Sequence, residues 1–396
     1  MPTATPLSRL ALAAFGLHGA DQLVTAALPL VAVLAIGAGP QLVGALLAAQ
    51  AAAWLAFSLP AGLLVDRIGR TRLLSAATLA AAGGATLALP AVAGGAPALL
   101  GLAAFLAACG TVLFVLAAGS LVPALAPPDG LAPANARLEL ARAVASLGAP
   151  PLVGLLAGRG LAVAAFGLAI GAALLAFAAA RGLPMLAAPV TATRPPIRAQ
   201  LAEGARFVLG HPLLRGIFGC ALCWNFAFFA LLAAIVPYAL GHLGLDPARL
   251  GLAQAGYGAG MIAGAAAAAP VQRRFGPNAI LLAGPGLSVV APILLLAAPA
   301  GGVALPFAAL FLVGFGPMMW LICQTGIRQI VTPPAMLGRV GAVLQVAIYG
   351  VRPLGALLAG ALGPEGGVML AAAGFTASLM VVAASELAGL RRLPAI

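Results

Sequence analysis

Only eight carboxylates and three histidines occur in 396 residues, so acid–base chemistry has few places to sit. One of each falls in the first long apolar run. His18 and Asp21 lie three residues apart near the middle of a predicted helix over residues 10–36, which puts both side chains on one face. An ionisable group at that depth in a bilayer is costly unless it is paired or hydrated. A carboxylate with a neighbouring imidazole, alternately meeting two pH values, has the chemistry of a proton carrier. The other reading of Asp21 is a helix cap or a structural hydrogen bond to a neighbouring helix.

A second group of residues has the chemistry of recognition. Gln50 and Trp54, Trp224, Asn225, Phe228 and Phe229, Gln254 and Tyr257, Trp320 and Gln324, and Gln345, Tyr349 and Arg352 all interrupt apolar runs. Trp224, Phe228 and Asn225 share a helical face by spacing. Taken singly, each reads as helix packing or interfacial anchoring. Together they describe a mostly apolar, aromatic cavity with amide donors and acceptors, suited to a bulky amphiphilic small molecule. Arg352 is the exception: it can meet an anionic substrate, pair with Asp21, or serve the scaffold. Glu139 and Arg142, three apart, read as a local pair.

Catalytic and metal chemistry are not indicated. No P-loop is present, so ATP drives nothing directly, and no constellation of nucleophile and base marks an enzyme or a cofactor site. Cys109, Cys220, Cys223 and Cys323 all lie in apolar runs, and Cys220 and Cys223 lack a second ligand pair, so they read as buried small hydrophobes rather than a metal site.

The elements that must position these residues follow from composition. The chain is 63% hydrophobic and 7% charged, with 51 glycines and 32 prolines, and its mean hydropathy is +1.13. That is a membrane composition. With about 20 apolar residues per span, the sequence predicts spans near 10–36, 42–64, 73–93, 98–122, 136–158 and 161–181, then 212–240, 250–271, 279–298, 305–329, 339–362 and 367–389. All 20 basic residues are arginine. They are scattered singly without interleaved aromatics, so the net charge of +12 does not indicate nucleic acid. Arg67, Arg70, Arg72, Arg137, Arg194, Arg198, Arg206, Arg273, Arg274, Arg339, Arg391 and Arg392 fall in one set of loops, and little more than Arg159 and Arg249 in the other. The positive-inside rule then puts the first set and both termini in the cytoplasm.

The halves repeat. Gly44 and Gly69 recur as Gly251 and Gly276 at an offset of 207, and Pro151 and Gly158 as Pro353 and Gly360 at an offset of 202. Between the halves, residues 182–211 carry Pro184, Pro189, Pro195 and Pro196 and then a short amphipathic helix around Glu203 and Arg206, expected at the cytoplasmic interface. The expected organisation is an N-terminal six-helix bundle over 1–181, this central loop, and a C-terminal bundle over 212–396.

The densest charge lies at Gly62-Leu-Leu-Val-Asp66-Arg67-Ile-Gly69-Arg70-Thr-Arg72, expected as a tight polar turn between spans two and three. This stretch resembles the signature loop of the major facilitator superfamily of secondary transporters. The resemblance implies an all-α membrane fold of twelve transmembrane helices in two pseudo-symmetric six-helix bundles, with a substrate site between the halves near the midplane. It also implies that Asp66, with Gly62, Arg67, Gly69, Arg70 and Arg72, acts as a conformational latch facing the start of span eleven around Gly338, where a helix dipole attracts an anion. The second copy is worn: at the 207 offset Asp66 is replaced by Arg273. The latch should therefore be stronger in the N-terminal half.

Further stretches resemble the branch holding enterobactin exporters and macrolide efflux proteins. They are Gly19-Ala-Asp21-Gln22, Ala134-Asn135-Ala136-Arg137, Glu203-Gly-Ala-Arg206-Phe207, Leu337-Gly338-Arg339-Val340 and Arg352-Pro353-Leu354-Gly355. Ala149-Pro150-Pro151 stands where exporting antiporters carry a glycine-proline motif, and it departs from that pattern; the adjacent prolines are expected to kink the span. No charge occurs from Ala98 to Val122, where drug/proton antiporters carry an arginine. The reading is a monomeric transporter of a bacterial cytoplasmic membrane that exchanges protons, through Asp21 with His18, for a siderophore or hydrophobic drug-like compound. An importer or lipid flippase on the same fold, or a membrane sensor that transports nothing, are the alternatives.

Overall fold

A computed structural model describes residues 5–125, 131–185, 197–333 and 336–389, with side chains at all of these except 58–68, 131–133, 197 and 386–389. Among the described residues there are eleven helices: α1 (Pro6–Ile36), α2 (Pro40–Ile68), α3 (Arg70–Ala93), α4 (Pro97–Leu125), α5 (Leu131–Gly158), α6 (Ala164–Arg181), α7 (Ile197–Gly210), α8 (Pro212–Gly241), α9 (Pro247–Leu296), α10 (Ala304–Val331) and α11 (Leu337–Gly389). Runs this apolar must satisfy their backbone groups internally, and a helix does so. Proline opens α1, α2, α4, α8 and α9, a position where its missing N–H costs nothing. Thr5 caps α1 by accepting from the Ser8 N–H at 3.3 Å.

Ten of the helices are long and apolar enough to cross a membrane; α7 is the amphipathic remainder. Two of the ten are double. Gly276 (φ 79°) divides α9 and Gly363 (φ 80°) divides α11, which yields the twelve spans of the expected fold.

Glycine backbone geometry exposes the internal repeat. All eight positive-φ glycines of the described residues fall into pairs: Gly37 with Gly244 and Gly69 with Gly276 at an offset of 207, Gly95 with Gly301 at 206, and Gly160 with Gly363 at 203. Each marks a place where the chain leaves one span for the next, a conformation that side chains with a Cβ resist. The charged stretch at 62–72 departs from its expected form. It is not a loop: α2 stays helical through Ile68, Gly69 alone breaks the path (φ 87°, ψ 133°), and Arg70 starts α3. The polar residues extend the helices, and only the glycine turns the chain.

The chain divides into two compact units. Unit 1 holds residues 1–192 with 245–255; unit 2 holds residues 193–244 with 256–396. Inside unit 1, α1 packs on α4, α5 and α6, and α3 packs on α4 and α6. Inside unit 2, α8 packs on α11, and α7 on both. Helix approach without a hydrophobic driving force needs small residues at the contact. Gly84 and Gly110 seat α3 against α4, where any Cβ would strike the facing backbone. Gly256, Gly260 and Gly264, one per turn of α9, do the same against the carbonyls of Phe307, Phe311 and Phe315 in α10. Arg339 at the start of α11 pairs with Glu203 of α7, and Gly204 lets the Arg339 carbonyl approach to 2.6 Å from where a Cβ would stand. The expected kink at Pro150 and Pro151 does not interrupt α5, which stays helical through both.

Candidate functional site

In unit 1, Asp21 sits midway along α1 and partly buried. Its carboxylate meets two neutral donors. Thr111 of α4 donates its hydroxyl to Oδ1 at 2.9 Å, and Gln22 donates its side-chain amide to Oδ2 at 3.2 Å. Thr111 is buried, and the same hydroxyl lies 3.4 Å from its own helix at the Ala107 carbonyl. The shorter contact is the one across helices. Hydrogen bonds of this kind hold a carboxylate in place without supplying a countercharge.

His18 is buried on the same helix, but its ring is directed edge-on to Phe114 of α4, with centroids 6.3 Å apart at 77°. Gln50 of α2 is buried and donates to the Thr25 hydroxyl of α1 at 2.8 Å, so it joins two helices one turn beyond Asp21. Trp54, a turn further along α2, is partly buried. Glu139 and Arg142 form the expected local pair on α5 at 2.6 Å.

In unit 2 the predicted residues converge. Trp224 stacks on Phe228 at 5.0 Å, and Phe228 stacks on Tyr257 of α9 at 5.3 Å. The spacing on α8 therefore makes one continuous aromatic row, and Trp224 is fixed by donating its indole N–H to the Ser288 hydroxyl at 3.0 Å. Phe228 also meets Phe229 edge-to-face at 5.8 Å. Asn225, one residue around the helix, turns instead toward α11: its amide oxygen accepts from Arg352 Nε at 3.0 Å and Nη2 at 2.9 Å, while its amide nitrogen donates to the Ala221 carbonyl at 2.9 Å. The Arg352 guanidinium lies over the rings of Tyr349 and Phe229, 4.7 and 5.1 Å from their centroids.

Other candidates stand apart. Gln324 is buried and bonds within its own helix, to the Leu321 carbonyl and the Thr325 hydroxyl. Trp320 packs against Gly284 and into a core built from α8, α9, α10 and α11. Gln345 is exposed. The side-chain oxygen of Gln254 is buried without a hydrogen-bond partner. Of the latch, Gly62, Asp66 and Arg67 lie in the final turns of α2, where side chains fall outside the described residues. Arg70 is partly buried with its Nε lacking a hydrogen-bond partner, Arg72 is exposed, and Gly338 is exposed in the first turn of α11. Among the described residues no group of three or more histidine, cysteine or carboxylate side chains is placed to hold a metal ion.

Thr111, Thr25 and Ser288 were not singled out by sequence reasoning. Each is a lone hydroxyl in an apolar run, and its only advance signal is that polarity.

Comparison with known proteins places this geometry. A family model described as Major Facilitator Superfamily matches residues 10–356. Among solved structures, the chain resembles the nucleoside transporter NupG (10% identity, TM-score 0.77, covering 97% of this chain and 99% of that one). It also resembles a peptide transporter POT solved in complex with sulfate (16% identity, TM-score 0.77, covering 96% and 94%). A bacterial homologue of the human lysosomal transporter Spinster is a further likeness (15% identity, TM-score 0.64, covering 98% and 96%). At these identities the likeness is one of fold. No curated protein sequence matches the chain.

Proposed function

This chain belongs to the Major Facilitator Superfamily and is a multi-pass secondary transporter of that type, and we propose that it works by alternating access as a proton-coupled exporter of an amphiphilic small molecule. The observation that carries this reading is Asp21. A carboxylate in the middle of a spanning helix, held by Thr111 of α4 and by Gln22, is costly in a bilayer and is a functional site by default. Its donors are neutral, so the group can exchange a proton without breaking a salt bridge to them.

The aromatic row of Trp224, Phe228 and Tyr257 supports the substrate side: stacked, partly exposed rings favour a flat or bulky apolar molecule. Siderophores and hydrophobic drug-like compounds have that character, and the stretches that resemble enterobactin and macrolide exporters favour the outward direction. The arginine distribution supports a bacterial inner membrane with both termini cytoplasmic. The two bundles, near 1–181 and 212–396, act as the moving bodies, and the charged segment from Gly62 to Arg72 with Gly338 as their cytoplasmic latch. His18, buried three residues away on the same helix, is the second candidate for the proton exchange.

The test is substrate-induced proton movement in proteoliposomes, screened with siderophores, macrolides and cationic dyes. A compound should drive proton flux with the wild type and none with Asp21→Asn. Normal coupling in that variant would make Asp21 structural and move the proton site elsewhere.

A further inference from the structure

Unit 2 carries its positive charge unevenly, and the surface where it gathers uses none of the residues assigned to proton or cargo. We propose that Arg198 and Arg206 of α7, Arg215 of α8, and Arg273, Arg274 and Phe275 at the break in α9 form a docking surface for anionic phospholipid headgroups. The leaflet is the one that the positive-inside distribution makes cytoplasmic.

Packing brings these segments to one end of the unit. Leu213, in the first turn of α8, shares a core with Ala268, Val271 and Ile280, which flank the Gly276 break in α9. Val208 of α7 shares a second core with Leu214 of α8 and Val340 of α11. The apolar face of α7 is therefore already covered by protein: Val208 is buried, and Gly204 admits the Arg339 backbone. The face turned away from that contact carries Arg198, Arg206 and Leu209, all exposed. Such packing leaves no apolar face for α7 to insert into lipid. What the helix presents to a membrane is guanidinium.

Charge complementarity selects the occupant. All five arginines are exposed, and among the described residues none has a carboxylate partner. Glu203, the one carboxylate of α7, is taken by Arg339. From 197 to 296 the sequence holds one other, Asp246, and it pairs with Arg249. Topology alone asks for arginine inside in both halves, yet the charged stretch of unit 1 mixes Asp66 with Arg67, Arg70 and Arg72, whereas unit 2 has Arg273 at the place of the acid. The countercharge of unit 2 is left to come from outside the chain. Phe275 separates a lipid from an acidic protein as its source. Its ring is 61% exposed, and the Arg274 guanidinium lies over it at 5.3 Å. Leu209, 53% exposed and one turn from Arg206, repeats the pairing. A bare apolar side chain beside a cation suits the boundary between acyl chains and phosphates.

The test is native mass spectrometry of the detergent-purified protein, titrated with phosphatidylglycerol and with phosphatidylcholine of the same acyl chains. The wild type should retain phosphatidylglycerol at least about tenfold more tightly. Replacing Arg198 and Arg206 together by Gln should cut that preference by about fivefold, and so should replacing Arg273 and Arg274. The variant lacking all four should show none, while its unchanged retention of phosphatidylcholine shows that it is folded. Arg137→Gln, which neutralises an exposed arginine of unit 1, should leave the preference as it is. A wild type without preference for the anionic lipid overturns the proposal, and so does a preference that survives in the fourfold variant. An Arg137→Gln loss as large as that of either pair overturns it too, because overall charge rather than this surface would then be read. Retention of polyglutamate in place of phosphatidylglycerol, when both are offered, would assign the surface to an acidic protein and equally overturn it.

Discussion

The two units carry one backbone plan and opposite chemistry. At the offset of 207 that pairs Gly37 with Gly244 and Gly69 with Gly276, His18 corresponds to Asn225, Asp21 to Phe228, Gln22 to Phe229 and Gln50 to Tyr257. The α1–α2 contact at these positions is a hydrogen bond from Gln50 to Thr25; the α8–α9 contact is Phe228 stacked on Tyr257. Unit 1 presents an acid held by a hydroxyl and an amide. Unit 2 presents a cation held by an amide between aromatic rings. The repeat relates the positions but not the contacts: Phe228 meets Tyr257, whereas Gln50 meets Thr25 and Asp21 meets Thr111 and Gln22. That is the pattern expected if one half handles the proton and the other the cargo.

The sharpest way to break this division is to measure the coupling ratio in matched variants. Asp21→Asn should remove proton movement entirely, a loss limited only by background leak. Phe228→Leu, at the equivalent position, should weaken transport yet keep protons moved per substrate unchanged. If Phe228→Leu uncouples the protein, the chemistry is shared between the units rather than divided.

Next in size are changes to packing. Gly260→Val places methyl groups against the Phe311 carbonyl across the α9–α10 seam, and overpacking of this kind costs about 1–3 kcal/mol. Gly83→Ala in α3 meets nothing within 4 Å and should be neutral or slightly stabilising. Thermal unfolding of the purified variants checks both. Equal effects would mean that the seam in unit 2 yields, and that its aromatic row is less fixed than the acid of unit 1. Below that lies Trp224→Ala. It removes one stacking partner and the hydrogen bond to Ser288, and should weaken apolar aromatic substrates by about tenfold or somewhat less, read as a rise in KM at unchanged proton stoichiometry.

How far the sequence discloses such a site depends on what each residue must do. Spans were legible because length, proline starts and glycine exits are all written in one-dimensional order; α1, α3 and α10 fall within a few residues of their expected bounds. The charged stretch was legible as a boundary but misleading as a loop, since arginine and aspartate tolerate a helix and Gly69 alone turns the chain. Trp224 and Phe228 were legible as a pair because four-residue spacing fixes a shared face. Their partners were not. Thr111 and Ser288 can each bond to their own preceding turn, as both do at longer range, and nothing in one dimension says which neighbour wins. Gln50 and Gln324 are alike on the page: one joins two helices and the other folds back on its own.

The smallest expected effect is therefore the most informative about unit 1. Thr111→Val keeps the shape of the α1–α4 contact and removes only the hydroxyl, leaving Asp21 with the Gln22 amide at 3.2 Å. A hydrogen bond to a charged group contributes about 1.5–3 kcal/mol in favourable cases, and Thr111 can already divide its proton between Asp21 and Ala107, so the loss should fall below that range, at about 1 kcal/mol. The expected outcome is a several-fold fall in coupled flux with the ratio of protons to substrate intact, because the acid is still present and only its holder is gone. Thr111→Ser should restore the rate. A variant whose flux is normal would show that Asp21 is positioned by α1 alone. A variant as dead as Asp21→Asn would show that the hydroxyl is itself part of the proton path, and the neutral donors of unit 1 would then be carriers rather than clamps.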